Sequence, residues 1–104
     1  MGTLGGRKEI VWTAHARFKM RHYRLSEQKI RNVIHSPKRI EQGIAPGTLA
    51  FLKQEGNAKK PHEIWVMIAD GKTRRRIISA WRYPGITKPG EPLPEEIMVE
   101  LEGI

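Results

Sequence analysis

The chain has 104 residues, enough for one ordinary domain, and no cysteine, which excludes a disulfide framework and a thiolate metal site. Its 19 Lys and Arg against 11 Asp and Glu give a net charge of +8, which points to a polyanionic partner, nucleic acid first, or to solubility alone. No apolar run approaches the roughly 20 residues that span a bilayer, and Met1–Lys8 lacks the apolar stretch of a signal peptide. The expectation is a cytoplasmic protein without a membrane partner. The charge is uneven. Residues 1–82 hold 18 basic and 6 acidic side chains, and residues 83–104 hold 1 and 5. That makes a basic body with an acidic tail.

In chain order, residues 1–8 are Gly-rich and basic, and disorder is expected there. Glu9–Trp12 reads as a short strand. Thr13 is an N-cap for a helix over Ala14–Tyr23, where Ala16, Met20 and Tyr23 recur at i, i+4 and i+7. Ser26 caps a second helix with Ile30, Val33 and Ile34 on its core face, and Ser36-Pro37 ends it. Lys38–Gln42 reads as an edge strand and Thr48–Gln54 as a further strand, with a polar loop over Glu55–Pro61. Glu63–Ala69 is the strongest strand, because Ile64, Val66 and Ile68 alternate with Glu63, Trp65 and Met67. Asp70-Gly71 then turns the chain into an antiparallel strand over Thr73–Tyr83. Four prolines extend the acidic tail, residues 84–104, and Pro94 opens a last short helix with Ile97, Met98 and Leu101 on one face. The expected fold is α+β: one or two short N-terminal helices on a three- to four-stranded antiparallel sheet, with an extended C-terminal tail.

The stretch His15-Ala16-Arg17-Phe18-Lys19-Met20, followed by Leu25-Ser26, Ile30, Val33-Ile34 and Ser36-Pro37, resembles a family of small domains of unassigned activity. Their opening reads T-x-H-A-x-x-R-M-x-x-R-x-I-S. That family distantly resembles the RelE/ParE class of bacterial toxins, and the resemblance covers about residues 10–83. Lys19 replaces the family's usual Arg, Tyr23 a common second Arg, and Arg24 a common Gly. The resemblance implies an RNase-type toxin, with a cognate antitoxin as partner. Toxins of this kind place Arg on late strands and Tyr near the chain end, so it implies Arg76, Arg82 and Tyr83 as site residues.

The residues themselves offer several candidates. Metal-independent RNA cleavage needs a base, an acid and cations around the phosphate. His15, in the first turn of the first helix, is a candidate base; the alternative is an imidazole that locks helix to sheet. Arg74, Arg76 and Arg82 supply guanidinium forks for phosphate. Strict alternation places them opposite Ile77, Ser79, Trp81 and Tyr83, and only a bulge brings Arg and Tyr to one face. Lys53 adds charge, or is ordinary surface. Lys59-Lys60 is a loop patch, and His62 a weaker proton donor. His22, His35 and His62 lack metal-ligand spacing, so neither metal nor cofactor is expected. Trp12, Trp65 and Trp81 either stack on bases or fill the core.

Three functional readings follow. The first is a toxin-like, metal-independent endoribonuclease, with Arg74, Arg76, Arg82 and Lys53 on the RNA and His15, Arg76 and Tyr83 as the catalytic candidates. The second is a non-catalytic nucleic-acid-binding module, and the third a ParE-type protein-interaction domain. The tail's apolar stripe either docks on its own domain, competes with RNA, or exchanges between copies to make a homodimer.

Overall fold

The computed structural model describes residues 8–43 and 46–90. The expectations for residues 1–7 and for the helix opened by Pro94 lie outside the described residues. Lys8, assigned to the disordered start, is described, and its ammonium pairs with Asp70 at 3.0 Å. The elements are β1 (Glu9–Trp12), α1 (Ala14–Tyr23), α2 (Glu27–His35), β2 (Arg39–Gln42), β3 (Thr48–Gly56), β4 (Pro61–Asp70) and β5 (Arg74–Pro84).

The sheet corrects the expected three- to four-stranded antiparallel layer. It has five strands in the order β1-β5-β4-β3-β2, and it is mixed. β2 through β5 form an antiparallel meander, while β1 runs parallel to β5, with Glu9 opposite Arg74 and Trp12 opposite Ile77. A parallel partner is reached by a long crossover and not through a tight turn, so no local signal in a four-residue strand announces it.

β1 pairs with β5 only as far as Ile77. α1 takes over along the open edge that follows. At one end Thr13 Oγ1 donates to the Ile77 carbonyl at 2.7 Å, and at the other Arg82 Nη2 donates to the Tyr23 carbonyl at 3.2 Å. A helix laid against the strand in this way protects an edge that would otherwise invite pairing with another chain. Both helices begin at the hydroxyls expected of them: Thr13 Oγ1 accepts from Ala16 N at 3.1 Å, and Ser26 Oγ from Lys29 N at 3.0 Å. α1 closes with Leu25 N on the Met20 carbonyl (2.8 Å) and Arg24 N on that of Arg21 (3.3 Å). Met20 and Leu25 join the same core, the apolar contact that accompanies this cap.

The sheet buries both faces. Under the helices, Phe51, Ile64, Val66, Ile68, Ile77 and Ala80 meet Ala16, Met20, Leu25, Ile30 and Val33. On the second face, Ala50, Leu52, Trp65, Met67 and Trp81 pack together, and the two indoles stack with centroids 5.6 Å apart. Trp65 and Trp81 are thus core residues, while Trp12 lies half-buried between the guanidiniums of Arg17 and Arg31, each 5.5 Å from its ring.

The first residues of the acidic tail cross this second face as a strap. Gly85, at φ 120°, turns the chain and donates its N–H to the Pro61 carbonyl at 3.1 Å. Thr87 then donates to the buried Glu63 carboxylate through its N–H (3.2 Å) and its hydroxyl (2.8 Å). Trp65 Nε1 is the third donor, at 2.9 Å. Arg39 on β2 clamps the strap from outside, with Nη1 on the Thr87 carbonyl at 3.1 Å and Nη2 on its hydroxyl at 2.8 Å. Gly90 N reaches Glu41 at 3.1 Å.

Candidate nucleic-acid interface

A β-bulge decides which late-strand residues share a face. Met67 pairs with Ser79 and Ile68 with Ile77, so Ile78 is the extra residue. The parity of β5 changes there. Arg74 and Arg76 consequently lie on the same face as Ser79, Trp81 and Tyr83, and Arg82 lies on the helix face with Ile77 and Ala80. The face assignment expected from strict alternation is corrected accordingly.

The catalytic candidates His15, Arg76 and Tyr83 are not brought together. Arg76 and Tyr83 lie seven positions apart on β5, about 23 Å. His15 is on α1, two turns from the end that meets Arg82. Its Nε2 is buried without a hydrogen-bond partner, so it does not tie helix to strand through that atom. Burial, and then the Lys19 ammonium one turn on, hold its pKa below 6.5. Lys19 itself is buried, with its ammonium 4.9 Å from the Tyr23 ring, and burial depresses its pKa as well. A histidine with a depressed folded-state pKa must gain a proton in the unfolded chain first, so stability falls as pH drops below about 6.5. His15→Gln is expected to flatten the change in Tm between pH 7.5 and 5.5, and an equally steep change in the variant would exclude His15 as its source.

Arg74 and Arg76 are exposed near the hairpin end of the sheet. Arg74 Nε lies 3.3 Å from Glu9, and Arg75 pairs with Asp70 at 3.0 Å. These partners reduce the local positive field without cancelling it.

A different group assembles at the opposite end of the sheet. Lys53, Ile64 and Arg82 stand in one row across β3, β4 and β5, with Glu55, His62 and Pro84 in the adjoining row. Both rows face the helices. Arg82 Nη1 lies 2.8 Å from His62 Nε2, and Glu55 Oε1 lies 3.4 Å from the same nitrogen. Lys29 on α2 donates to that Glu55 oxygen at 2.8 Å. Burial pushes the Glu55 carboxyl up, but the hydrogen bond and charge of Lys29, with His62 behind them, hold it below its ordinary value. The β3–β4 loop brings two further cations to the rim: Asn57 Oδ1 accepts from Lys59 N at 2.9 Å and Lys60 N at 3.0 Å. Gly56, at φ 85°, makes that bend, and a β-carbon there would fall 2.2 Å from the Lys60 carbonyl. Tyr23, Lys59, Lys60, Pro61, His62 and Arg82 line an open cleft of about 530 Å³.

The structure thus joins Arg82 and Lys53, both candidates from the sequence, to His62, a weaker one, and to Glu55, which no sequence pattern marks. The expected strand begins at Glu63 after a loop over Glu55–Pro61, whereas β4 begins at Pro61 and pairs His62 with Glu55. Tyr83 opposes Glu63 on the other face of the sheet, away from this cleft. Among the described residues, no group of three His, Asp or Glu side chains is placed to hold a metal ion, and no helix is long and apolar enough to cross a membrane. No protein-family model, curated protein or solved structure matches this chain.

Proposed function

We propose that this is a toxin-like RNA-binding domain whose cleft at His62 and Arg82 holds the ribose–phosphate backbone and cleaves it without a metal. The contact between Arg82 Nη1 and His62 Nε2, 2.8 Å long, carries this reading. A guanidinium only donates, so the imidazole tautomer that satisfies this contact is the one in which Nε2 accepts. That is the form a general base requires. Glu55 stands 3.4 Å from the same nitrogen. It is placed to stabilise the imidazolium once Nε2 takes a proton, and Lys29 holds it there.

In the proposed step, His62 Nε2 removes the 2′-hydroxyl proton. The 2′-oxygen attacks the adjacent phosphorus, Arg82 offsets the charge on the phosphoryl oxygens, and the 5′-oxygen leaves with a proton from a rim ammonium, Lys59 or Lys60. The products are a 2′,3′-cyclic phosphate and a 5′-hydroxyl. A non-catalytic RNA-binding module is the second reading. It is favoured by the separation of His15, Arg76 and Tyr83, which leaves no assembled site among the residues the toxin resemblance selects.

Binding is tested with labelled single-stranded RNA. Neutralising several phosphates releases counterions, so affinity is expected to fall about tenfold or more between 50 and 200 mM salt. Arg82→Ala and Lys60→Ala are each expected to weaken binding and reduce the salt slope by about 0.7. Arg74→Ala with Arg76→Ala is expected to weaken it less, since Arg74 already has Glu9 as a neighbour. Affinity indifferent both to salt and to the cleft variants would sink the reading.

A further inference from the structure

The outer face of α1 carries the most exposed large apolar side chain of the described residues: Phe18, at 57% exposure. Helical spacing makes Arg21, at i+3, and His22, at i+4, its surface neighbours, about 5–6 Å away between β-carbons. The helix contains no acidic residue. Arg17, beside Phe18 in sequence, pairs with Glu27 at 2.9 Å. The guanidiniums of Arg21 and Arg24 have no ion pair or hydrogen bond among the described residues. Together with Arg17, Leu25 and Ser26 they line a shallow concavity of about 440 Å³ where α1 meets α2.

Arg24 adds a second, independent observation. It closes α1 at φ 58°, ψ 50°, the only non-glycine residue with positive φ among those described. Glycine is the usual residue at such a cap, because a β-carbon is strained in the left-handed region. An arginine held there against its backbone preference, one turn beyond Arg21 and with its guanidinium unpaired among the described residues, fits a role outside the fold.

Resting on the RNA-binding reading above, we propose that the outer face of α1 is a base-stacking platform for single-stranded RNA. One base lies on the Phe18 ring, and the flanking phosphates take Arg21 and Arg24. Every base has a flat π-face, and stacking on one aromatic ring between cations is how single strands are held without sequence readout. Duplex keeps its bases inside and offers no face to Phe18. A partner helix needs apolar anchors repeated along a groove, and Phe18 is a single anchor ringed by charge.

The full-length protein is titrated with labelled oligouridine and with an abasic oligomer of equal length and charge. Phe18→Ala is expected to weaken oligouridine binding about 5- to 100-fold, the loss of one stacked base, and to leave the abasic oligomer unaffected. Phe18→Trp retains the affinity. Arg24→Gly is expected to raise the Tm by about 4 °C through relief of the left-handed backbone, while lowering oligouridine affinity and the salt slope by about 0.7. If Arg82→Ala weakens binding and Phe18→Ala does not, the platform falls and the cleft stands; the reverse pattern keeps the platform and removes the cleft. Wild-type protein that binds no oligouridine, or Phe18→Ala that weakens a polyglutamate peptide as much as RNA, overturns the proposal.

Discussion

His62→Ala is expected to lower RNA cleavage by about 10²- to 10⁴-fold, the usual contribution of a positioned general base. RNA affinity should change little, since Arg82, Lys59 and Lys60 remain to hold phosphate. The variant's activity should recover partly on adding free imidazole, which supplies the missing base without repairing a structural defect. Glu55→Gln should lower cleavage by less, because it removes the countercharge for the imidazolium but leaves the base itself. His15→Ala is the contrasting variant. His15 is outside the cleft, so cleavage per folded molecule should be unchanged. Full activity in His62→Ala would place the chemistry elsewhere. Loss of activity in a well-folded His15→Ala would return it to α1.

Glu63→Ala should produce the largest loss of stability, about 3–5 kcal/mol. The carboxylate is completely buried and accepts from Trp65 Nε1, Thr87 N and Thr87 Oγ1. Its removal leaves those donors unsatisfied and opens a cavity beneath the stacked indoles. Against a total stability of about 5–15 kcal/mol, a loss of that size consumes much of the reserve. Thr87→Val should cost less, about 1–3 kcal/mol, because the N–H to Glu63 survives. Truncation after Tyr83 removes the whole strap, so it should lower the Tm at least as much as Thr87→Val. Urea denaturation measures each loss. A Glu63→Ala protein within about 1 kcal/mol of wild type would mean that the strap contributes nothing to stability.

The strap and the cleft were hidden from the sequence for different reasons. Glu63 reads as the polar member of an alternating strand, facing solvent. It is buried because both sheet faces are covered, and alternation alone cannot reveal a second cover made by residues more than twenty positions away. His62 was hidden by its neighbours: Pro61 and the run Asn57–Lys60 read as loop, although proline is tolerated at the first residue of a strand. The bulge left no clear trace: Ile77-Ile78 puts two apolar residues in succession, but Ala80-Trp81 does so too in regular register.

The sequence by itself determined what depends on near neighbours. Thr13 and Ser26 cap because a hydroxyl there meets an amide three residues on. Ser36-Pro37 ends α2 because proline restricts the residue before it. Asp70-Gly71 turns β4 into β5, and the charge asymmetry of body and tail is composition. The tertiary structure alone decided what depends on distant partners: the parallel pairing of β1 with β5, the α1 cover over the remaining β5 edge, and the meeting of Lys29, Glu55, His62 and Arg82. Each of these pairs residues twenty or more positions apart or depends on such pairing, and contacts of that kind are chosen by competition among whole arrangements of the sheet, not by the preference of any one segment.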